Sequence, residues 1–474
     1  MDNYYTSAKI VCTIGPACKS KNIIKEMILN GADMFRLNAS HGDFAQHESV
    51  INTIREVENE TKILIPILID LQGPKIRIGD IDTPINTVVG DILKFKHTDK
   101  YNGEIIPVDY KGIAQDVKSG DKILIDDGKI QLIVLNVNND IVEAQVLSPG
   151  LINKRKGINI PGTTGSLDVM TTKDKEYVKK AIEWNLDYIA LSFVRSADDV
   201  KLLRSMLGDS NIQIISKIEK PQALKNIDEI IQVSDGIMVA RGDLGIETPA
   251  HQVPIVQKHI IEKANIARKC VIVATQMLES MVTNPIPTRA EVSDVANAIF
   301  DGADAVMLSG ETAVGKYPTQ AVKMMDEIAR SVQFSELIQN NKLPEKMSLQ
   351  KDTASMAIGF ALTDMVRNLP NVKAIVTISQ SGYTPKLVSE SNPSVPIFAC
   401  CSCEKLCRQL RLYRAVYPLK IKGNIGKIDQ SMLDVLSKYL IKNTFLKSGD
   451  MIIVTGSVPH ILGEGTNFIK IHTV

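Results

Sequence analysis

Short apolar runs alternate with stretches of helical periodicity between Lys9 and about Phe334, apart from one interruption. The runs are rich in Ile and Val and are apolar on both faces, which is typical of parallel strands that helices cover on both sides. Eight runs fit this description: residues 9–14, 33–38, 63–70, 187–194, 212–218, 236–240, 270–275 and 303–309. A helical stretch follows each of them, and this alternation predicts an α/β fold with a (β/α)8 TIM barrel.

The helical stretches carry start signals of their own. Ser20, Thr172 and Thr288 each stand directly before a stretch of helical periodicity. Because a Ser or Thr hydroxyl accepts hydrogen bonds from the free amides of a first helical turn, these three residues are predicted to be N-caps.

Residues 72–167 interrupt the barrel pattern after the third predicted strand. Gly-Asp and Asp-Gly pairs at 79–80, 90–91, 120–121 and 127–128 separate short β-branched runs. Turn signals at this spacing predict a small antiparallel β domain inserted into the barrel. The catalytic loops of such barrels lie at the carboxyl ends of the strands, so we expect the insertion to form a lid over the active site.

A third unit follows the polar stretch 339–352. Its predicted elements are helix 353–368, strands 372–379, 395–400 and 451–457, and helix 429–443. Helices that alternate with apolar strands predict a parallel α/β domain. The sequence therefore divides into a barrel (1–71 and 168–345), an inserted β domain (72–167) and a C-terminal α/β domain (346–474).

Composition narrows the class of protein. The 474 residues are 44% hydrophobic and 23% charged, which excludes collagen-like, disordered and disulfide-scaffold proteins. With 55 Lys and Arg against 54 Asp and Glu, the formal charge of +1 provides no overall field for nucleic acid or for an anionic membrane. Seven cysteines, no signal-peptide pattern and no apolar run of about 20 residues lead us to expect a cytoplasmic protein.

Polar residues gather at the carboxyl ends of the predicted barrel strands. They are Arg36, Asn38, Ser40, His41, Asp70, Ser192, Arg195, Lys217, Glu219, Arg241, Asp243, Thr275, Gln276, Ser309 and Glu311. Any one of them would also fit a loop or a helix cap. Because barrel enzymes place their reacting groups at this rim, the whole set predicts an active site there.

The segment Lys217-Ile218-Glu219 gives the first indication of the chemistry. Alternation along a strand points Lys217 and Glu219 to the same side. Glu219 and Asp243 come from neighbouring strand ends, and two carboxylates with the remaining ligands from water and substrate suit Mg²⁺. An ammonium, a divalent ion and the glycine-edged backbone at Gly242 suit a phosphoryl group in transfer. The residues alone thus predict a barrel enzyme that uses Mg²⁺ and a phosphorylated substrate.

Several longer motifs then point to a family. The segments are KIVCTIGPA, MFRLNASHG, LIDLQGPKIR, KGINIPG, ISKIEKP, GIMVARGDLGIE, VATQMLESM, PTRAEVSDVANAIFDGADAVMLSGETAVGKYP and VTGS. Together they resemble the pyruvate kinases, in the family's order and nearly from end to end of the chain. The resemblance implies barrel, lid and C-terminal domains, a homotetramer, and transfer of a phosphoryl group from phosphoenolpyruvate to ADP in glycolysis.

The resemblance also implies roles for individual residues. Arg36 and Lys217 would neutralise the phosphoryl group, and Glu219 and Asp243 would bind Mg²⁺. The residues that would seat the substrate carboxylate are Gly242, Asp243 and Thr275. Those that would relay a proton to the methylene carbon are Thr275, Ser309 and Glu311. The nucleotide positions are Asn38, His41, Arg77 and, from the lid, Lys156, and a second Mg²⁺ would arrive with ADP.

The monovalent-cation position departs from much of the family. Members that need K⁺ hold it on residues matching Asn38, Ser40 and Asp70 and on the backbone of the residue at 71. Those members carry Thr where this chain has Leu71 and Glu where it has Lys75. Because a lysine ammonium can supply a fixed positive charge, we expect K⁺ not to be required. The alternative is a solvated Lys75 with K⁺ still bound.

A turn in the third domain resembles an anion cradle. Ser379, Ser381, Gly382 and Thr384 lie between a predicted strand and a predicted helix, where hydroxyls and free amides can hold a phosphate. In the family, the matching turn binds the phosphate of an allosteric effector, so a sugar phosphate or AMP is expected here. Ordinary helix capping is the alternative.

Two other functions fit part of the pattern. A Mg²⁺-dependent lyase or aldolase acting on pyruvate enolate would use the carboxylate pair but would not require Arg77 and Lys156 in the insertion. A catalytically inactive metabolite sensor would keep the C-terminal cradle alone, yet Lys217, Glu219 and Asp243 are all present.

Overall fold

The computed structural model describes residues 5–162, 167–333, 335, 353–421, 430–457 and 465–474. Eight parallel strands close into one barrel in chain order, which confirms the predicted fold class. They are Lys9–Thr13, Met34–Asn38, Ile67–Asp70, Tyr188–Leu191, Gln213–Ile218, Gly236–Ala240, Cys270–Ala274 and Ala305–Leu308. The third strand begins at Ile67 and not at residue 63, because Pro66 has no amide hydrogen for the ladder.

Helices surround the barrel. The main ones are Lys21–Leu29, Phe44–Thr61, Thr172–Glu183, Ala197–Leu207, Ile227–Val233, Val253–Ile266, Arg289–Phe300 and Pro318–Gln333. Short helices at the strand connections are Pro221–Lys225, Arg241–Glu247, Ala250–Gln252, Glu279–Val282 and Gly310–Ala313.

Of the three predicted N-cap residues, one caps its helix, one lies a position too late, and one makes no capping hydrogen bond. Thr288 accepts from Glu291 N in a capping box, as predicted. The prediction of Thr172 was wrong by one residue, because Thr171 accepts from Asp174 N and Asp174 in turn accepts from the amide of Thr171. Ser20 occupies an N-cap position, but its side chain makes no capping hydrogen bond.

The inserted domain is a β structure with its own core around Phe95, Val142 and Ile123. Its strands are Ile76–Arg77, Ile85–Asn86, Ile92–His97, Ile105–Val108, Lys122–Ile125, Ile130–Asn138, Ile141–Ser148, Leu151–Ile152 and Gly157–Asn159, with one helix, Ile113–Asp116. Most neighbours are antiparallel as predicted, but Ile92–His97 and Ile105–Val108 pair in parallel. The domain boundaries at 71/72 and 167/168 stay predictions.

The C-terminal domain is a five-stranded sheet with helices. Its strands are Val372–Ile378, Ile397–Cys401, Val416–Lys420, Met451–Gly456 and Phe468–Thr473, and its helices are Thr353–Asn368, Tyr383–Glu390, Glu404–Leu410 and Gln430–Asn443. The predicted parallel arrangement is confirmed for the first four strands, but the last strand, which was not predicted, runs antiparallel to its neighbour. The connection between these two strands is too short for a helical crossover. The predicted boundary at 345/346 lies outside the described residues.

The C-terminal domain packs against the amino-terminal ends of the barrel strands. Met34, Tyr188 and Cys270, each the first residue of a barrel strand, share one apolar core with Leu412 and Tyr413. The Tyr188 hydroxyl also donates to the Gln409 carbonyl at 2.6 Å. This packing leaves the carboxyl ends of the strands facing the lid. In the described part of the chain, no helix is long and apolar enough to span a membrane.

Candidate active site

Lys217 lies at the centre of the rim formed by the strand ends. Its Nζ donates to Ser192 Oγ at 2.8 Å and lies 3.0 Å from Glu219 Oε1 and 3.2 Å from Asp70 Oδ1. Burial alone would lower the pKa of Lys217, but Asp70 and Glu219 outweigh it and raise that pKa. The side chain, 12% exposed, is therefore held as an ammonium that faces the cleft.

Arg36 is the second cation of the rim. Its Nη2 lies 2.7 Å from Asp70 Oδ2, and its Nη1 donates to Thr13 Oγ1 at 2.9 Å. Burial would raise the pKa of Asp70, but Lys217 and Arg36 hold it below its ordinary value. Asp70 thus joins the two predicted phosphoryl-binding cations.

Glu219 and Asp243 were predicted to hold a divalent ion. Glu219 is buried and its Oε2 accepts from Phe193 N at 2.7 Å, but Oε1 has no hydrogen bond of acceptable geometry. Burial raises the pKa of Glu219; the charge of Lys217 opposes this, and the charge of Asp243 adds to it. Such a carboxylate pair fits a cation.

The kind of cation follows from the number of ligands. Among the residues that the structure describes, no three His, Cys, Asp or Glu side chains converge on a metal site. A metal here would take two protein carboxylates and the rest of its ligands from substrate and water, as Mg²⁺ does.

The short helix Arg241–Glu247 carries the predicted carboxylate-binding residues. Gly242 N donates to Thr275 Oγ1 at 2.8 Å, so two of the three predicted groups are in contact. A Cβ at Gly242 would lie 3.4 Å from that same hydroxyl, which is an ordinary van der Waals contact, so space alone does not require glycine here. Thr275 itself has a left-handed φ of 72°, which is rare for a β-branched residue.

Ser309 and Glu311 form a fixed pair beside the cleft. Glu311 is fully buried, and its two oxygens accept from Leu278 N at 3.0 Å and from Ser309 N at 2.7 Å. The hydroxyl of Ser309 is buried without a hydrogen-bond partner. A water or a substrate group would satisfy this hydroxyl.

The four predicted nucleotide residues lie on two domains. On the barrel, Asn38 O accepts from His41 N at 3.1 Å. On the lid, Lys156 Nζ donates to Asp126 Oδ1 at 2.8 Å, and Arg77 Nη1 donates to Arg155 O at 3.3 Å. The lid pair is thus engaged with lid residues rather than with the barrel pair.

The residues predicted to hold a monovalent cation already contact other groups of the protein. Asp70 is paired with Arg36 and Lys217, Leu71 O accepts from Ser192 Oγ at 2.7 Å, and Asn38 Oδ1 accepts from Ser40 N at 3.0 Å. The Lys75 ammonium lies elsewhere. Its Nζ is 3.6 Å from Asp243 Oδ1 and 3.8 Å from Asp127 Oδ1 of the lid.

Of these groups, Lys75, Gly242 and Asp243 border a cavity of about 560 Å³ between lid and barrel, whereas Lys217, Arg36 and Glu219 lie outside its lining. The cavity is lined by Lys75, Asp127, Arg241, Gly242, Asp243 and Gln276, among others. Its position at the carboxyl ends of the strands agrees with the predicted active-site rim.

Thr13 was absent from the predicted rim residues, and Ser192 was among them without a role of its own. Both stand at strand ends, and their hydroxyls contact Arg36 and Lys217. Their only signal in the sequence was this position, which many structural hydroxyls share.

The residues predicted to bind an effector lie on a turn between strand Val372–Ile378 and helix Tyr383–Glu390. Ser379 Oγ accepts from Gly382 N at 2.9 Å, Ser381 Oγ accepts from Tyr383 N at 3.3 Å, and Thr384 Oγ1 lies 2.9 Å from Thr466 Oγ1. Gly382 has a φ of 81°, and a Cβ there would lie 2.9 Å from Leu406. These contacts also fit ordinary capping, so effector binding stays a prediction.

A TIM barrel whose rim carries two partly buried cations, a carboxylate pair and a lid defines an enzyme of phosphoryl transfer. Residues 5–322 match the family described as pyruvate kinase, barrel domain, and residues 356–472 match pyruvate kinase, alpha/beta domain.

Individual relatives agree with these matches. The chain is 42% identical to a pyruvate kinase of Sporosarcina psychrophila over 478 residues, covering 98% of this chain and 80% of that protein. It is 41% identical to a pyruvate kinase of Staphylococcus aureus (strain MRSA252), with the same coverage. It resembles the crystal structure of a pyruvate kinase from Cryptosporidium parvum with a TM-score of 0.90 and 34% identity, covering 99% of this chain and 96% of that one.

The chain belongs to the pyruvate kinase family. It is a phosphotransferase of glycolysis that converts phosphoenolpyruvate and ADP to pyruvate and ATP. The family generally needs Mg²⁺ and usually K⁺.

Proposed function

We propose that the Lys217 cluster carries out this phosphoryl transfer, and that it does so without K⁺. The proposal rests on the contacts that Lys217 makes with two carboxylates at the strand ends. The Lys217 ammonium lies within 3.2 Å of Asp70, and within 3.0 Å of a Glu219 oxygen that makes no hydrogen bond.

In the transfer step, an oxygen of ADP bonds to phosphorus while the bond from phosphorus to the enol oxygen breaks. Negative charge spreads over the phosphoryl oxygens and the enolate. Lys217 and Arg36, fixed by Asp70, neutralise this charge at positions set before the reaction begins. Mg²⁺ on Glu219 and Asp243, and a second Mg²⁺ with ADP, would add Lewis-acid stabilisation of the same oxygens.

In the second step, the enolate takes a proton on its methylene carbon and becomes pyruvate. Gly242 N and the Thr275 hydroxyl seat the substrate carboxylate and place that carbon. Thr275 relays the proton through water and Ser309, whose hydroxyl is buried without a partner beside Glu311.

The contacts of Lys75 and Asp70 support independence from K⁺. The Lys75 ammonium places a fixed charge 3.6 Å from Asp243, next to the proposed Mg²⁺. Asp70 and the Leu71 carbonyl are already engaged by Arg36, Lys217 and Ser192. The cleft therefore has a fixed cation beside Asp243, whereas Asp70 and Leu71, two of the residues predicted to hold K⁺, are engaged by protein groups.

Three further parts of the proposal concern binding and assembly. Arg77 and Lys156 bind the nucleotide when the lid closes on Asn38 and His41. The turn at Ser379, Ser381, Gly382 and Thr384 binds the phosphate of an allosteric effector, a sugar phosphate or AMP.

The third part is that the chain forms a homotetramer. Large apolar side chains of the barrel domain lie exposed to 69% at Ile255, 69% at Ile286 and 64% at Val314. These side chains would be buried if they lie at a subunit interface, and the expectation of a tetramer itself comes from the family resemblance.

A pair of lysine variants tests the proposal. Lys217→Met is expected to lower kcat for pyruvate formation by about 10²–10³-fold, because it removes a cation from the transition state. Lys220→Met removes an ammonium three residues away, which lies 3.6 Å from Glu247, and serves as the control. A Lys217→Met enzyme with the kcat of the control would contradict the proposal.

A further inference from the structure

The guanidinium of Arg241 links Asp294 to the backbone carbonyls of Thr275 and Gln276, and we call these hydrogen bonds the fork. Its Nη2 and Nε donate to Thr275 O at 2.7 and 3.2 Å, and Nη2 also donates to Gln276 O at 3.1 Å. Its Nη1 donates to both oxygens of Asp294, at 2.8 and 2.7 Å. One guanidinium thus binds a carboxylate on one side and two consecutive backbone carbonyls on the other.

Those carbonyls belong to a strained turn. Thr275 and Gln276 have φ values of 72° and 54°, and neither is glycine. Two consecutive residues in the left-handed region persist only where surrounding contacts hold them. Arg241 supplies such contacts, since its hydrogen bonds end on the carbonyls of these two residues.

The fork also fixes the direction of the Thr275 hydroxyl. Thr275 Oγ1 donates to Ala274 O at 2.5 Å and accepts from Gly242 N at 2.8 Å. Arg241 and Gly242 are consecutive residues of the helix Arg241–Glu247. Holding Arg241 on Thr275 therefore also holds the Gly242 amide against the Thr275 hydroxyl.

We infer that Arg241, held by Asp294, is a positioning residue for the proton-transfer step. It keeps the Thr275–Gln276 turn in its left-handed conformation and so fixes the place of the Thr275 hydroxyl, whose proton would turn from the Ala274 carbonyl towards the substrate in the relay. In that step the enolate carbon gains a proton, and the electron pair of its double bond forms the new C–H bond while the C–O bond becomes a carbonyl. This inference depends on the proton-relay role of Thr275 given under the proposed function.

Lysine cannot replace Arg241 in this arrangement. An ammonium is a point charge and cannot donate in one plane to a carboxylate and to two carbonyls. Arg241→Lys is therefore expected to release the turn while it keeps the positive charge. Arg241 lies at the cleft, and its guanidinium is engaged by Asp294 and by the carbonyls of Thr275 and Gln276, so we place its effect in the position of Thr275.

The experiment measures the two chemical steps separately. Proton transfer is followed by NMR as the exchange of pyruvate methyl hydrogens for deuterium, with Mg²⁺ and inorganic phosphate present. Phosphoryl transfer is followed by rapid quench as the first turnover of ATP formation from phosphoenolpyruvate and ADP. Arg241→Lys is expected to slow the exchange by roughly ten- to a hundredfold and the ATP burst far less.

Two more variants accompany Arg241→Lys: a control at Arg204, which makes similar contacts elsewhere, and a milder change at Asp294. Arg204→Lys changes another arginine that joins a carboxylate, Asp235 at 2.6 Å, to a backbone carbonyl, that of Val233, at the opposite end of the barrel. It is expected to leave both steps unchanged. Asp294→Asn keeps a partner for Arg241, and because Asp294 is 40% exposed it tests the fork even if Arg241→Lys fails to fold. A smaller loss of exchange, again without loss of the burst, is expected from it.

Thr275→Val distinguishes a failure of the role inferred for Arg241 from a failure of the proton relay proposed for Thr275. If Thr275→Val slows exchange but Arg241→Lys and Asp294→Asn do not, the inference is wrong and the role of Thr275 stands. If Thr275→Val leaves exchange unchanged, the proton-relay role fails and the inference with it. Equal loss of exchange and burst in Arg241→Lys would show a general structural role and would overturn the inference.

Discussion

Lys75 shows how far a single residue can be interpreted from sequence. Its substitution for a glutamate suggested a fixed charge in place of K⁺. The structure puts its ammonium beside Asp243 and Asp127, and puts Asp70 with Arg36 and Lys217. The identity of Lys75 was readable from the sequence. Its partners were not, because they depend on where the inserted domain lies over the barrel.

Hydroxyl residues were harder still to assign. Ser192 and Thr13 contact the two central cations, yet a hydroxyl at a strand end is equally common as a structural group. The strain at Thr275 and Gln276 had no sequence signal, because neither residue type is typical of a left-handed backbone.

At the scale of elements, periodicity predicted the barrel well. Strands that are apolar on both faces are distinctive, and the helices between them carry cap residues. Phe468–Thr473 was missed because it is partly exposed along its whole length and so lacks the apolar run of the buried strands. The cap at Thr171 was misplaced because two threonines stand side by side.

That pair of threonines provides a test of the helix start. Thr171→Ala removes the hydroxyl of a capping box and is expected to lower the free energy of unfolding by about 1 kcal/mol. Thr172→Ala, one residue on and exposed, is expected to change it by less than about 0.5 kcal/mol. Denaturant unfolding compares the two variants, and equal effects would mean that the box at Thr171 does not form.

This helix start is also tied to the insertion. Asp174, the other member of the box, accepts from Gln72 N at 2.9 Å, at the first residue of the inserted domain. Thr171→Ala is therefore expected to loosen the attachment of the lid as well as the helix.

At the scale of the whole molecule, the junction between barrel and C-terminal domain holds a buried carboxylate. Asp304 accepts from Val271 N at 2.9 Å and from Arg414 N at 3.2 Å, and Glu390 lies near it. Burial raises the pKa of Asp304 from 3.8 to about 6. The folded state thus binds a proton at Asp304 more tightly than the unfolded state does.

The sign of the pH dependence follows. Ionised Asp304 destabilises the folded state above pH 6, and this cost disappears as the pH falls through 6 towards 3.8. Relative to Asp304→Asn, the wild-type chain should gain about 1 kcal/mol in the free energy of unfolding between pH 8 and pH 5. Denaturant unfolding of both chains across this range measures the difference. The assignment would be contradicted if the stability of the wild type relative to Asp304→Asn stayed constant across this range or rose with pH.

Catalysis without K⁺ is tested most simply by the initial rate of pyruvate formation from phosphoenolpyruvate and ADP with Mg²⁺. The rate is measured with K⁺ and with tetramethylammonium at one ionic strength. The wild-type rates should agree within about twofold, and Lys75→Glu should lose about tenfold or more without K⁺ and recover when K⁺ is added. A wild-type enzyme that works only with K⁺ would contradict the role of Lys75. No pyruvate under either condition would contradict the assignment of the site itself.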